Sequence, residues 1–288
     1  MPTEHPGEGS ARRRAPVTFS FDVEPHQPVP ADDVAYPRVT RAVFEWLAER
    51  GIRGTIFVVG TTAVANPDLV TEAVALGHEV GLHSWDHTPL TELGRERFVD
   101  ETRRGKELLE DLVGEAVVGY RAPTFSLVRE TVWVTDELAD LGFTYSSSVL
   151  PARSPLHGFP GVPRDPFTWP SGLVELPCPI ARVGPLAAPY MGGVYLRVLP
   201  WPLVRLTWRI NGGGPAPLTY CHPYDFDTEE AFWVVPGTGR LGSRLLWIGR
   251  RRMFDKLDHL FADGAGPPLR ELLHTADPVG AHALPGVS

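Results

Sequence analysis

The chain has 288 residues, enough for one large domain or two small ones. Its hydrophobic fraction of 43% and charged fraction of 22% are ordinary for a globular protein. The formal charge of −8 argues against nucleic acid as the main partner, because binding to phosphates requires a basic face. Arginines cluster at residues 12–14 and 250–252, and we interpret both clusters as solvated surface.

Cysteine content and apolar runs bear on the compartment. Cys178 and Cys221 are too few for a disulfide framework, and we expect both to be small buried hydrophobic residues. The N-terminus carries arginines but no apolar segment typical of a signal peptide. No run approaches the ~18 apolar residues that a membrane span needs. These features predict a cytoplasmic protein without an integral membrane segment.

The first half of the chain alternates strands and helices after a polar tail, residues 1–15, that we expect to be disordered. The predicted elements are a strand at 17–24, a helix at 39–50, a strand at 54–60, a helix at 68–76, a strand before residue 83, a helix at 95–113, a strand at 116–120, a helix at 129–141 and a strand at 143–145. This alternation favours a parallel sheet or barrel over an all-β or all-α fold.

The second half is richer in proline and glycine. It predicts a long ordered loop at 150–172, a strand at 173–176, a helix at 200–210, a strand at 218–221, an amphipathic helix at 243–261 and a flexible tail at 277–288. We find no internal repeat and no clear linker. The expected organisation is one domain over residues 16–276, with a C-terminal third dominated by long loops.

The stretch from Gly77 to Pro89 suggests a metal site. His83 and His87 are four positions apart, so on one side of a helical turn their ring nitrogens could converge on one ion. Two histidines and a distant carboxylate would leave a coordination position open, which is typical of a catalytic metal. The alternative is a pair of surface histidines without an ion. Tight turns at the glycines and proline, and a carboxylate pair elsewhere, favour the metal.

Polar side chains collect at the carboxyl ends of successive predicted strands. They are Asp22, Glu24, His83, His87, Arg121 and His222. In a βα barrel this end carries the active site, because the loops that follow the strands meet there. The alternative for any one of them is a solvent-exposed loop residue. As a set, they predict an active site.

Four motifs resemble the polysaccharide deacetylase family, the NodB-homology carbohydrate esterases. They are Phe21-Asp-Val-Glu24, Gly77-His-Glu79 with His83-Ser-Trp-Asp-His87, Gly119-Tyr-Arg-Ala-Pro-Thr-Phe-Ser126, and Tyr220-Cys-His-Pro223. The resemblance is closest to the subgroup associated with exosortase and exopolysaccharide gene clusters. It extends from residue 17 through the last amphipathic helix.

The resemblance implies an α/β fold, a distorted, incomplete (β/α) barrel, that holds one divalent metal and hydrolyses N-acetyl groups on amino sugars. By position, Asp22 would be the general base, oriented by Arg121, and His222 the general acid. The implied metal ligands are Glu24, His83 and His87, with zinc as the default ion. The implied substrate-contacting residues are Pro123, Phe125, Tyr120 and Trp85.

The chemistry of these residues supports that function. An amide is a poor electrophile, so a metal is useful to polarise its carbonyl and to acidify a water. A histidine suits protonation of the leaving amine near neutral pH. The chain also departs from the family pattern: Val23 separates the two acids, Pro25 stands where the subgroup has an acid, and Ser146 stands where it has an aspartate.

Three functions remain open from the sequence. The first is a metal-dependent deacetylase of N-acetylated amino sugars in a cell-surface polysaccharide or its precursor. The second is an amidohydrolase for a small amide or cyclic imide. The third is a catalytically silent carbohydrate-binding protein, against which the intact polar set argues. The sugar, the length of its polymer and the oligomeric state are not predicted.

Late aromatic and apolar residues have two interpretations each. Trp169, Tyr190, Tyr195 and Trp201 could stack on sugar rings or pack in the core. Residues 201–208 and the basic, apolar run 245–253 could touch a membrane surface, as a lipid-linked saccharide would require, or form ordinary core helices.

Overall fold

The computed structural model describes residues 15–26, 35–183, 186–211, 217–236 and 238–274. The predicted tails at 1–15 and 277–288 lie outside these residues, except for residue 15. Residues 27–34 lie outside them as well.

Within the described chain, seven strands form one sheet in the order β1-β2-β3-β4-β5-β7-β6. They are β1 (Ser20–Val23), β2 (Thr55–Val58), β3 (Glu79–Leu82), β4 (Gly119–Tyr120), β5 (Tyr145–Ser146), β6 (Phe167–Thr168) and β7 (Val174–Glu175). All neighbours are parallel except β6 and β7, which are antiparallel. The mainly parallel sheet confirms the predicted α/β class, and the carboxyl ends of β1 to β5 share one edge.

Residues 218–221 extend this arrangement on the other side of β1. Parallel bridges join Thr18 to Leu218 and Phe21 to Cys221. The Asp22 amide donates to the Cys221 carbonyl at 2.8 Å. The segment predicted as a strand therefore runs alongside β1, so that residue 222 emerges at the same edge as Asp22. The arrangement is consistent with a distorted barrel.

Helices cover the sheet and fill the second half of the described chain. They are α1 (Ala35–Glu49), α2 (Gly60–Ala65), α3 (Pro67–Ala75), α4 (Arg95–Val113), α5 (Val134–Asp140), α6 (Gly193–Val198), α7 (Trp201–Asn211), α8 (Gly239–Leu245), α9 (Met253–Leu260) and α10 (Leu269–Leu272). A separate hairpin consists of β8 (Ile180–Val183) and β9 (Leu186–Pro189).

Helix α4 has the predicted bounds because its local signals agree. Phe98, Thr102, Gly105 and Leu109 recur at helical spacing and are buried. The helix ends at Gly114, whose φ of 77° is the left-handed conformation of a glycine cap. A Cβ on Gly105 would lie 2.8 Å from the Leu82 side chain, so the glycine lets α4 pack closely on β3.

The predicted helix at 243–261 is wrong as a single element. The chain forms α8, a 3₁₀ turn at Arg250–Arg252, and α9. The break follows Gly249, whose φ is 80° and whose added Cβ would lie 2.4 Å from the Arg197 carbonyl oxygen. Close packing against α6 thus requires a left-handed glycine, which interrupts the helix.

Other differences are smaller. The predicted helix at 129–141 is a 3₁₀ turn at Arg129–Thr131 followed by α5, and α2, α6, α10 and the β8–β9 hairpin were not predicted. Cys178 and Cys221 are free and buried, as expected. Nowhere in the described chain is a helix long and apolar enough to cross a membrane.

Candidate active site

The carboxyl end of β1 supplies two acids to one side. Asp22 and Glu24 are both buried, and Val23 between them lies in the hydrophobic core. Successive side chains of a strand point to opposite faces, so residues two apart share one. The alternation places both carboxylates at the polar edge of the sheet.

Glu24 meets both predicted histidines. Its Oε2 lies 3.1 Å from His83 Nε2 and 2.5 Å from His87 Nε2. The three residues offer ligand atoms that all lie within 4.8 Å of one another. One carboxylate oxygen and two imidazole nitrogens at these separations form a group that could bind a divalent metal.

The two histidines converge by a different route from the predicted one. Residues 83–89 are not helical, and the premise of a helical turn is wrong. Ser84 and His87 instead have left-handed φ values of 61° and 64°. The His87 amide donates to the Ser84 Oγ at 3.0 Å, which closes the turn. A non-glycine residue held in this left-handed conformation costs about 1–3 kcal/mol of folding free energy, and such residues are concentrated at functional sites.

The charge states of this group depend on one another. Burial alone raises the pKa of Glu24, but the charge of His87 and hydrogen bonds from both histidines hold that pKa well below its ordinary value. Burial alone lowers the pKa of His87, and Glu24 reverses this effect and raises it. The carboxylate of Glu24 and the imidazole of His87 therefore stabilise each other's charged forms.

Arg121 orders two parts of the site. The His83 Nδ1–H donates to the Arg121 carbonyl at 2.9 Å, which leaves Nε2 facing Glu24. The buried guanidinium donates from Nη1 to Asp22 Oδ1 at 2.7 Å and to Ser20 Oγ at 2.8 Å. It also donates from Nη2 to Ser147 Oγ at 3.0 Å. Asp22 is therefore held in one orientation.

His222 lies on the other side of Asp22. Its Nε2 is 3.8 Å from Asp22 Oδ2, too far for a hydrogen bond, and its Nδ1 is 2.9 Å from Asp225 Oδ2. Burial alone lowers the pKa of His222, but the hydrogen bond and charge of Asp225, together with the charges of Glu24 and Asp22, outweigh burial and raise the pKa to about 9. His222 is thus protonated at neutral pH, with Nε2 directed into the site.

Asp225 was missed by the sequence analysis. Its carboxylate is fully buried, accepts the His222 amide at 2.8 Å and pairs with Arg197 Nε at 2.7 Å. Ser146, where the related subgroup has an aspartate, is buried and donates to the Ser148 hydroxyl. The acid beside His222 therefore comes from its own loop. An acid three residues after the histidine was the available signal.

Tyr224 was also missed. Its ring stacks on His222 with centroids 4.6 Å apart and an interplanar angle of 8°. Its hydroxyl donates to Glu24 Oε1 at 3.2 Å, on the oxygen that does not face the histidines. Tyr224 thus links His222 to the group that could bind a metal.

The predicted substrate-contacting residues divide into two groups. Phe125 and Trp85 are half-buried beside the site: Phe125 packs edge-on against Tyr220, and Arg104 covers the Trp85 ring at 3.9 Å. Pro123 is buried.

Tyr120 is fully buried, packing edge-on against Phe98 and Phe143. A saccharide cannot reach it there, so the prediction for Tyr120 is wrong. Trp169 and Tyr190 are likewise core residues.

Comparison with known protein families covers both halves of the chain. Residues 10–146 match the family described as Polysaccharide deacetylase, and residues 147–273 match a domain of unknown function, DUF3473.

Two curated relatives match over part of the chain. The peptidoglycan-N-acetylglucosamine deacetylase PgdA of Listeria monocytogenes is 32% identical over 92 residues, covering 32% of this chain and 20% of that protein. A chitooligosaccharide deacetylase of Sinorhizobium fredii is 29% identical over 116 residues, covering 40% of this chain and 54% of that protein. The chain thus spans less than two thirds of the length of either relative.

Two solved structures share the fold. A protein from Mycobacterium smegmatis described as a putative polysaccharide deacetylase superposes with a TM-score of 0.59 at 21% identity, covering 93% of this chain and 94% of that one. The peptidoglycan N-acetylglucosamine deacetylase Bc1960 superposes with a TM-score of 0.51 at 15% identity, covering 92% and 91%. At these identities the similarity establishes the fold alone.

Proposed function

We propose that the chain, whose residues 10–146 match the polysaccharide deacetylase family, is a metal-dependent hydrolase. We propose that it removes N-acetyl groups from amino sugars of a cell-surface polysaccharide or its precursor. The observation that carries the proposal is the grouping of Glu24 and two histidines beside an arginine-held aspartate and a protonated histidine, all at one edge of the sheet.

Glu24, His83 and His87 would hold the metal. The fit rests on the donor set and its geometry: one oxygen and two nitrogens approach one another, and the second nitrogen of His83 is already occupied by the Arg121 carbonyl. Zinc is the expected ion for two nitrogens and one oxygen. When bound, a divalent ion polarises an amide carbonyl and lowers the pKa of water.

Asp22 would act as the base. Its Oδ1 is fixed by Arg121, and its Oδ2 faces the space shared with His222. A carboxylate in that position can take the proton of a water that attacks the acetyl carbon. Arg121 would be the residue that positions it.

His222 would act as the acid. Its pKa of about 9 keeps it protonated at neutral pH, and Nε2 can donate to the nitrogen of the leaving amine. The Asp225 carboxylate accepts a hydrogen bond from Nδ1–H of His222, so it orients the ring and stabilises the charged form of the imidazole. Phe125, Trp85 and Pro123 would shape the groove for the acetyl group and the sugar.

The decisive experiment measures acetate release. Purified protein with added Zn²⁺ should release acetate from N-acetylglucosamine oligomers, and Asp22→Asn prepared identically should not. A panel of small amides and cyclic imides tests the other amidohydrolase activity. Turnover of an imide without acetate release would contradict the proposal. So would a protein that binds oligomers but turns over neither class of substrate.

Cytoplasmic location and the single domain at 16–276 stay predictions.

A further inference from the structure

Helix α7 carries an apolar stripe that faces solvent. Leu203, Leu206 and Ile210 are 44%, 52% and 66% exposed. They are spaced by three and four residues, so they lie on one side of the helix. The buried side is formed by Val204, with Trp201 and Trp208 partly buried against the core. The helix is therefore apolar on both faces, and burial in the core accounts for only one of them.

A second exposed apolar group follows in α8 and the turn after it. Leu241 is 80% exposed, and Leu245 and Ile248 are about half exposed. On α6, Val198 is also exposed. We call these residues together the apolar face: Val198, Leu203, Leu206, Ile210, Leu241, Leu245 and Ile248.

Packing brings α6 and the turn after α8 together. The Arg197 guanidinium, on α6, donates to the Ile248 carbonyl at 3.2 Å, so that turn is fastened to α6. Val198, Trp201 and Ile248 then line one cleft of about 720 Å³. Helix α7 begins at Trp201, three residues after Val198, so the stripe on α7 follows this cleft directly along the chain.

The stretches of chain that carry the apolar face hold arginines but no acidic residue, although Asp227 and Asp255 line the cleft beside Ile248. No aspartate or glutamate occurs between Glu175 and Asp225, or between Glu230 and Asp255, although the chain as a whole carries a net charge of −8. The exposed arginines in these two stretches are Arg205, Arg209, Arg240, Arg244, Arg251 and Arg252. The acidic protein therefore has a basic, apolar surface on α7 and α8.

We propose that the apolar face binds the surface of an anionic lipid bilayer. Leucine and isoleucine side chains flanked by arginines are the composition of segments that lie at such an interface. Arginine side chains are attracted by the negative surface potential of anionic lipids. A second copy of the chain fits less well, since a two-fold interface would bring the same arginines against one another. A soluble polyanion would satisfy the arginines but leave the leucines exposed.

Helix α6 relates this face to the proposed active site. Its first residue, Gly193, lies against Tyr220 and His222, where an added Cβ would be 3.8 Å from the His222 ring. Its last residue is Val198, on the apolar face. Six helical residues span about 9 Å. Bound to a bilayer, the protein would hold His222 close to the lipid headgroups, where a lipid-linked saccharide is presented. This orientation rests on the proposed function, whereas the binding itself does not.

Co-sedimentation with vesicles tests the binding without any turnover. The full chain is mixed with vesicles of phosphatidylcholine alone, or with vesicles that also contain roughly 30 to 40% phosphatidylglycerol, which makes their surface strongly anionic. We expect binding only to the anionic vesicles. Leu206→Gln/Ile210→Gln should weaken it at least about tenfold, because apolar contact is lost. Arg205→Gln/Arg244→Gln should weaken it by about 20-fold at low salt, and added salt should reduce that difference.

Leu156→Gln is the matched control. Leu156 is 74% exposed and lies outside the apolar face, so its loss should leave vesicle binding unchanged. Far-UV circular dichroism verifies that each variant is folded. Failure of the wild type to sediment with anionic vesicles would overturn the proposal, as would equal binding by all variants. The wild type could instead dimerise without binding vesicles, and Leu206→Gln/Ile210→Gln could abolish that dimerisation. This result would assign the apolar face to a second copy of the chain and would also overturn the proposal. Acetate release from soluble oligomers, measured on the same variants, keeps this result separate from the proposed hydrolysis.

Discussion

Substitution of Asp225 by asparagine should move the pH dependence of the proposed reaction. The asparagine can still accept hydrogen bonds from His222, but it removes the negative charge that stabilises the imidazolium. Burial alone lowers the pKa of His222, and Asp225 is the main group that raises it to about 9. With Asp22 and Glu24 still present, we expect a pKa of about 7 in the variant, near the ordinary value for histidine.

The size of the effect follows from the protonated fraction of His222. At pH 8.5 that fraction falls from about three quarters to about 3%, so the rate should drop about 25-fold, while at pH 6 it should change little. The acid is active when protonated, so activity is lost as pH rises through its pKa. A bound divalent cation would lower the pKa of His222 in both proteins, so the measured quantity is the difference in alkaline limit between them.

Acetate release is followed from pH 5.5 to 10 at low substrate concentration with saturating metal. The titration of the His222 ring, followed by nitrogen NMR on metal-free protein, gives the pKa of the metal-free form and its shift in the variant without turnover. Both should show the alkaline limit of Asp225→Asn about two pH units below that of the wild type.

Arg197→Met is the matched control for stability. It breaks the same buried ion pair as Asp225→Asn, so each variant should lose about 3–5 kcal/mol of unfolding free energy. Only Asp225→Asn removes the negative charge beside His222, and Arg197→Met should keep its alkaline limit at or above that of the wild type. Equal alkaline limits in Asp225→Asn and the wild type would refute the role of Asp225.

Four further substitutions test the remaining assignments. His87→Ala should lose the roughly one equivalent of metal that elemental analysis finds in wild-type protein purified without chelator, and full occupancy would remove His87 from the site. Asp22→Asn should bind metal almost normally yet be inactive, whereas Glu24→Gln should bind it weakly and regain activity in excess ion. The opposite pattern in calorimetry would reverse the two roles. His222→Asn should keep its fold and metal but lose turnover about 10²–10⁴-fold, so near wild-type rates would show that the leaving amine is protonated elsewhere.

Local sequence determined the elements of the first half and the edge at which the polar residues meet. Helix α4 was predicted with its observed bounds because a buried stripe and a glycine cap agree. Asp22 and Glu24 could be assigned to one side of β1 because strand alternation is a property of the backbone. Parallel strands then carry the residues that follow them to the same edge, whatever the details of packing.

Tertiary structure decided the features that depend on residues far apart in the chain. The sequence pattern marked Gly249 as helical, yet close approach of the Arg197 carbonyl requires a left-handed turn there. Tyr120 stands in a motif of the site, but Phe98 and Phe143 enclose it in the core.

Tertiary structure also decided the charge network of the site and the exposure of the outer helices. Asp225 becomes important only because residues 218–221 run beside β1, which brings the loop that follows them to the site, and because the buried Arg197 meets its carboxylate. The stripe on α7 has helical periodicity whether it is buried or exposed. Periodicity shows which residues share a side of a helix, whereas only the neighbouring elements decide which side is covered, and that information lies elsewhere in the chain.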